Sequence, residues 1–260
     1  MMRLDKALVA QGLFDTRAKA QDAIQAGSVY VNGKSIVKNS YVVDVEDQIV
    51  VKASQLSFVS RAGYKLYDVI DLFDLQIAKR IVLDVGASTG GFSDVCLQQG
   101  AAYIYAVDVG SDQLDPSLRN HPNICNMEHV NCRYLQKSMF SKPIDFCTID
   151  VSFISLKLIL PALVEVMEHI EIIALIKPQF EAGRKDVGKG GIVKDARIHE
   201  RILKDMEHYI HSLGLYVHHV AASSICGRDG NKEFVFHIKE EVSTKTFDYK
   251  KIILNYQIKR

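Results

Sequence analysis

The sequence predicts an α/β protein: a doubly wound, Rossmann-like, mostly parallel sheet covered by helices and preceded by a small α+β domain. Apolar runs that read as buried strands recur at residues 81–85, 103–107, 144–149 and 171–176, with helix-like segments between the clearest of them. That alternation is expected of a parallel sheet covered on both faces. A glycine-rich turn at residues 86–91 follows the first run directly, and the first 55 residues carry a different, denser pattern of short elements. The chain has 260 residues; since domains usually hold about 100 to 200, a larger domain with a small partner fits.

In the first domain, Leu4, Ala7 and Leu8 at helical spacing predict a helix that stops at Gly12. Asp15 and Thr16 are competent N-caps for a second helix marked by Ala18, Ala20, Ala23 and Ile24 and closed at Gly27. Alternating Val29, Tyr30 and Val31 lead into an Asn32-Gly33 hairpin turn, and alternation resumes at 41–44 and 48–51. The expected boundaries are a small domain at 1–55, a linker at 56–62, the larger domain at 63–240 and a tail at 241–260 with several lysines and few core signals. Within the larger domain, residues 215–222 and 233–238, joined by the turn-rich stretch 226–231, read as a final antiparallel hairpin.

Composition narrows the function classes. Hydrophobic residues make up 48% and charged residues 24%, enough for a buried core and against a disordered chain. Lys and Arg total 32 against 31 Asp and Glu, a net charge of +1, so bulk charge does not point to a polyanionic partner. A membrane-crossing helix needs roughly 20 consecutive apolar residues, but the most apolar stretches are interrupted by Pro161, Glu165 and Glu171. The N-terminal residues, with Arg3, Asp5 and Lys6, lack the apolar core of a secretory signal, so a cytoplasmic location is expected. Cys96, Cys125, Cys132, Cys147 and Cys226 form no Cys-x-x-Cys pair. They read as reduced thiols, with no metal site expected.

The run Asp84-Val85-Gly86-Ala87-Ser88-Thr89-Gly90-Gly91-Phe92 passes from a strand into a helix, where glycines let the backbone turn tightly and approach a ligand. It is not the dinucleotide pattern, because Ser88 holds the second glycine position and an acid, Asp84, ends the strand. A pyrophosphate would be repelled by that carboxylate. S-adenosylmethionine carries a cationic sulfonium and an amino group, which an acid attracts. Asp108, at the end of the next strand, stands where such folds use an acid to hold ribose hydroxyls. Glu128, after the third strand, is a candidate for the adenosine end.

Four further motifs stand out: Ser60-Arg61-Ala62-Gly63-Tyr64-Lys65-Leu66 at the start of the larger domain, Asp150-Val151-Ser152-Phe153 at the end of the fourth strand, Lys177-Pro178-Gln179-Phe180 after the fifth and Lys232-Glu233-Phe234 in the last strand. Together they resemble the Lys-Asp-Lys-Glu tetrad of FtsJ-like ribose 2′-O-methyltransferases. With the N-terminal unit, which resembles an S4 RNA-binding domain, the sequence up to about residue 238 resembles the TlyA family, historically called hemolysin A. The resemblance implies S-adenosylmethionine-dependent methylation of ribosomal RNA. It implies that Lys177 takes the proton from a ribose hydroxyl, that Lys65 and Glu233 orient it, and that Asp150 sits between substrate and methyl donor. The chemistry asks for the same parts: alignment of two reactants and a proton acceptor. A free lysine titrates near 10.4 and is a poor base at neutral pH unless its surroundings lower that value. Lys65 supplies a neighbouring cation and Asp150 an opposing charge, so the net effect stays open at this stage.

Other methyl-transfer chemistries leave different marks. An amino-directed nucleic-acid methylase shows Asp or Asn followed by two prolines and an aromatic, where Val151 and Ser152 stand here. A cytosine C5 enzyme needs a thiolate nucleophile, but Cys147 lies inside an apolar strand behind Phe146.

For structured RNA the signal is placement, since the first domain holds nearly balanced charge. Arg17 and Lys19 open the second helix, near Arg3 and Lys6 if the helices pack side by side, where phosphates would meet cations and helix amides. Residues 178–191 form a long glycine-rich connection with Arg184, Lys185 and Lys189, expected to be mobile and to order over RNA beside the tetrad. Two rival classes are a membrane-active hemolysin, suggested by the historical family label, and a non-catalytic RNA-binding module that keeps the cofactor fold.

Overall fold

The structure is a computed structural model that describes residues 1–14, 16–25, 27–51, 58–183, 185–188, 190–227 and 230–256. It divides into two compact units, Met1–Arg61 and Ala62–Lys259. The expected N-cap Asp15 lies outside the described residues.

In the first unit, β1 (Met2–Arg3) leads into α1 (Leu4–Ala10) and α2 (Arg17–Gln25), followed by β2 (Val29–Val31), β3 (Lys34–Ser35), β4 (Val42–Val43) and β5 (Ile49–Val51). Strand β2 pairs antiparallel with β3 and β5, and β1 pairs with β4. Asn32 and Gly33 adopt φ of 51° and 79°, the left-handed pair that a tight hairpin turn requires. Leu4, Leu8, Ala20, Ile24, Val29 and Val31 form the core.

One buried acid ties the two helices together. Asp5 is fully buried, and its Oδ2 accepts from Arg3 (3.0 Å), Arg17 (2.9 Å) and Gln21 (2.7 Å). Burial alone would raise its pKa, but the bonds from Arg3, Gln21 and Arg17 hold it well below the usual carboxylate range.

The larger unit begins with α3 (Gly63–Phe73). It continues through β6 (Ile81–Val85), α4 (Gly91–Gln98), β7 (Tyr103–Val107), α5 (Pro116–Arg119), β8 (Ile124–Met127), β9 (Phe146–Ile149) and α6 (Leu160–Val166). Then come β10 (Glu171–Ile176), α7 (Pro178–Glu181), α8 (Ala196–Ser212), β11 (Tyr216–Ala222), β12 (Phe234–Lys239) and α9 (Tyr249–Leu254). The seven strands are ordered β11-β12-β10-β9-β6-β7-β8. Strands β6 to β10 run parallel, while β12 is antiparallel to both β10 and β11. The chain moves outward through β6, β7 and β8, then returns to place β9 on the other side of β6. This reversal opens the crevice beyond the strand ends where open α/β sheets bind ligands.

The tail, whose structure the sequence leaves open, contains α9, with Tyr249 and Ile253 buried and packed toward α8 and β11. The connection 178–191 opens with α7, and its Asp186 accepts from Arg201 of α8 at 2.5 Å. Aspartate at 186 and arginine at 201 are opposite charges that the sequence separates by a whole glycine-rich segment.

Replacing Asp5 by Ala is expected to cost the first unit about 2 kcal/mol, because the carboxylate is buried while its guanidinium partners are half exposed and screened. Its contribution is complete above the unfolded carboxylate pKa and fades as pH falls below about 4. Urea denaturation at pH 7 and pH 3 checks both statements. An unchanged midpoint at pH 7 would contradict them.

Candidate active site

The turn after β6 is shaped by what lies behind it. Gly86 has φ +82°, and a Cβ there would stand 2.9 Å from the Asp150 carbonyl oxygen and 3.0 Å from a Val151 methyl, so only glycine lets this turn lie against the end of β9. Gly90 has φ +93°, and a Cβ there would strike Leu118 at 2.4 Å. Ser88 and Thr89 are exposed at the top of the loop, whereas Ala87, Gly90, Gly91 and Phe92 are buried beneath it.

The acids around this loop divide by role. Asp108 pins the loop's crest: its Oδ2 accepts from the Ser88 N–H and its Oδ1 from the Gly110 N–H, both at 2.8 Å. Each oxygen keeps a second lone pair for a hydroxyl donor. Glu128 lies next to this corner, since His129 and Val130 donate backbone bonds to Gly110 and Asp108. Its carboxylate stands 3.6 Å from Arg119. Asp84 is fully buried, with its oxygens accepting from Ser93 Oγ (2.6 Å) and Thr148 Oγ1 (2.9 Å). Burial pushes its pKa up to about 6 against those two bonds, and the nearby Asp150 adds to the rise. Both carboxylate oxygens are thus engaged below the loop, so Asp84 could reach a ligand above it only through its field.

Next to the loop, four side chains from distant parts of the sequence meet. Asp150 and Lys177 are the first residues beyond β9 and β10, neighbouring parallel strands. Because β12 is antiparallel to β10 and Phe234 pairs with Ile176, Glu233 arrives at the same end of the sheet, one residue before its strand. Lys65 reaches in from the first turn of α3. Lys177 Nζ is 2.5 Å from Asp150 Oδ1, Lys65 Nζ is 3.6 Å from Asp150 Oδ2, and Lys65 Nζ is 2.7 Å from Glu233 Oε2. Lys65, Lys177 and Glu233 are buried. Burial would raise the Asp150 pKa, but the ammonium charges of Lys65 and Lys177 overcome it and hold the carboxyl below its ordinary value.

Sequence reasoning named all four of these residues and missed their helpers. Ser152 accepts from Lys177 Nζ at 3.0 Å; it belongs to the same Asp-Val-Ser-Phe motif, which was the available signal. Ser93 and Thr148, which solvate Asp84, carry no signal of their own. Phe153 is 92% exposed with φ 65°, a strained conformation for an aromatic residue, and its ring lies 5.1 Å from that of Phe180.

Four of the residues expected to meet RNA lie in the first unit, where Arg3 and Arg17 converge on Asp5 while Lys6 and Lys19 are exposed on α1 and α2. Arg184 and Lys189 lie outside the described residues. Among the described residues, no helix is long and apolar enough to cross a membrane, and no group of three or more His, Cys, Asp or Glu side chains is arranged to hold a metal ion.

Comparison with known proteins agrees with this architecture. The FtsJ-like methyltransferase family matches residues 58–240, and the S4 domain matches residues 2–49. A Bacillus subtilis protein that carries an rRNA methyltransferase name, YqxC, is 44% identical over 91% of this chain and 85% of its own. The 16S/23S rRNA (cytidine-2′-O)-methyltransferase TlyA of Mycobacterium tuberculosis is 39% identical over 92% of this chain and 90% of its own. A solved structure from Streptococcus thermophilus that carries a hemolysin name superposes with a TM-score of 0.77 at 39% identity, covering 98% of this chain and 95% of that one. With the two domains matched in order, and relatives of this similarity spanning nearly the full length, the chain belongs to the TlyA family of S4-domain, FtsJ-like methyltransferases.

Proposed function

We propose that this protein methylates a ribose 2′-hydroxyl of ribosomal RNA, with S-adenosylmethionine as methyl donor. The observation that carries the reading is the continuous chain Lys177–Asp150–Lys65–Glu233, closed by contacts of 2.5, 3.6 and 2.7 Å and set directly beside Gly86. The relatives' rRNA methyltransferase names support the substrate class, and the S4 match supports RNA engagement by the first unit. A cytoplasmic setting is part of the same proposal.

The donor fits the residues present. Gly86 and Gly90 let the loop turn where a Cβ would strike Asp150, Val151 or Leu118, and Asp108 keeps a lone pair on each oxygen for hydroxyl donors. The loop Gly86, Ala87, Ser88, Thr89, Gly90, Gly91 and Phe92 would receive the amino-acid portion, Asp108 the ribose hydroxyls and Glu128 the adenine end. When bound, S-adenosylmethionine supplies a methyl group on a positively charged sulfur, so the transfer needs alignment and removal of one proton. Lys177 rests as the ammonium that Asp150 holds at 2.5 Å, and once it has released a proton to solvent its Nζ accepts the proton of the attacking hydroxyl. Asp150 holds Lys177 and Lys65 in place, and Glu233 keeps Lys65 aimed at the hydroxyl oxygen. The exposed ring of Phe153 offers a surface on which an unstacked base can rest, the usual way proteins hold single-stranded RNA.

The test is incubation of ribosomal subunits with the protein and labelled donor, followed by mass spectrometry of nucleosides for 2′-O-methylation. Lys177→Ala is expected to lower kcat by about 10² to 10⁴-fold, the usual worth of general base catalysis, with donor affinity within about twofold. Base methylation, or full activity of the variant, would contradict the reading. Asp84 gives a second check. Its pKa of about 6 means that donor affinity falls as pH drops below that value, because the protonated carboxyl no longer attracts the cation. Calorimetric titration from pH 5 to pH 8 is expected to show this step in the wild type and to lose it in Asp84→Asn.

A further inference from the structure

The methyltransferase match ends at residue 240, but the chain continues into α9 and Tyr256, and this segment is tied to the turn that carries Glu233. The ring of Tyr249 stacks on Phe236 of β12 with centroids 6.2 Å apart, and its hydroxyl donates to Glu207 of α8 at 2.8 Å. With Ile253 buried as well, α9 has a fixed seat on the domain. From that seat the chain reaches Tyr256, whose ring meets Phe234 edge-on at 6.0 Å. The Tyr256 hydroxyl accepts from the Glu233 N–H (3.4 Å) and donates to the Ile225 carbonyl (3.3 Å), spanning the two ends of the turn. Lys232 closes the connection from the other side. Its Nζ donates to the Ile253 carbonyl (3.3 Å) and lies over the Tyr256 ring at 5.1 Å.

Glu233 has little freedom to be misplaced. A Cβ on Gly227 would stand 2.5 Å from its Oε1, while its Oε2 meets Lys65 at 2.7 Å. The turn therefore wraps one carboxylate oxygen and presents the other to the tetrad. Asn231 fixes the turn's second side, its Oδ1 accepting from the Val193 N–H and its Nδ2 donating to the Gly191 carbonyl, both at 3.0 Å. At residue 233 itself the carbonyl accepts from the Ser223 N–H at 2.8 Å, while the N–H is held from the C-terminal segment.

We propose that the C-terminal segment is a positioning latch: Tyr256 and Lys232 hold the turn so that Glu233 fixes Lys65 in reach of the hydroxyl. The proposal rests on the function assigned above, since Glu233 matters through the tetrad. Tyr256 touches no reacting atom and is a positioning residue. Its individual bonds are long, but displacement of a reacting group by about 1 Å costs on the order of 10²-fold in rate, so a small shift at residue 233 is amplified.

The experiment uses the full-length protein and ribosomal subunits. Tyr256→Ala is expected to lower kcat by about tenfold or more, with donor affinity within about twofold, and to raise amide hydrogen exchange at residues 225–233. Tyr256→Phe, which keeps the ring and loses the hydroxyl, falls between this variant and wild type. Tyr249→Phe removes the Glu207 bond that seats α9 and is expected to fall between Tyr256→Ala and wild type in both readouts. In a Glu233→Gln background, Tyr256→Ala is expected to cost less than about twofold more, because both changes act through one carboxylate. Unchanged kcat and exchange in Tyr256→Ala, or a loss that multiplies fully with Glu233→Gln, overturns the latch. If the wild type methylates no ribosomal RNA, the proposed function fails. The latch is then judged on exchange alone: a rise at 225–233 supports it, and no rise overturns it.

Discussion

Two ammonium groups leave water together in this protein, and the constraint that permits it is the carboxylate of Asp150. Each buried lysine carries a desolvation cost that only close, well-aimed opposite charge offsets. Asp150 meets Lys177 with one oxygen and Lys65 with the other, and Glu233 supplies the second negative charge. Two cations and two anions balance locally, so the cluster persists although Lys65, Lys177 and Glu233 are buried. Removing any one member strands a buried charge, so each residue is structurally dependent on the others before chemistry is considered.

The sheet explains why these four meet. Parallel strands β9 and β10 end side by side, and the antiparallel return of β12 brings its beginning to the same edge. Gly86 then lets the loop after β6 lie against the Asp150 carbonyl. The glycine loop and the tetrad thus meet at one piece of backbone. Glycine at 86 is required twice over: once for the positive φ of the turn, and once because the space a side chain would need is already occupied by the end of β9.

Much of this was legible in the sequence because it rests on local pattern. Apolar runs ending in Asp108, Asp150 and Lys177 mark strand ends, and polar residues at strand ends are where such sheets keep their chemistry. The Asn32-Gly33 turn and the glycine loop are likewise set by backbone conformations that few residues tolerate. What was not legible depends on contacts between distant segments. The burial of Asp84 beneath its loop follows from Thr148, sixty-four residues on. The seat of α9 follows from Phe236 and Glu207, and the charged residues around Tyr249 conceal it. Asp5 reads as one surface acid among several until α2 folds back over it.

The central claim is that Lys177 and Asp150 work as one unit, which a double-mutant cycle on kcat measures most directly. Lys177→Met and Asp150→Asn are each compared with the double variant on ribosomal subunits at saturating donor. The account predicts that the double variant falls no more than about threefold below the worse single variant, because either change alone already disables the pair. Losses that multiply in full would show two independent groups and contradict it.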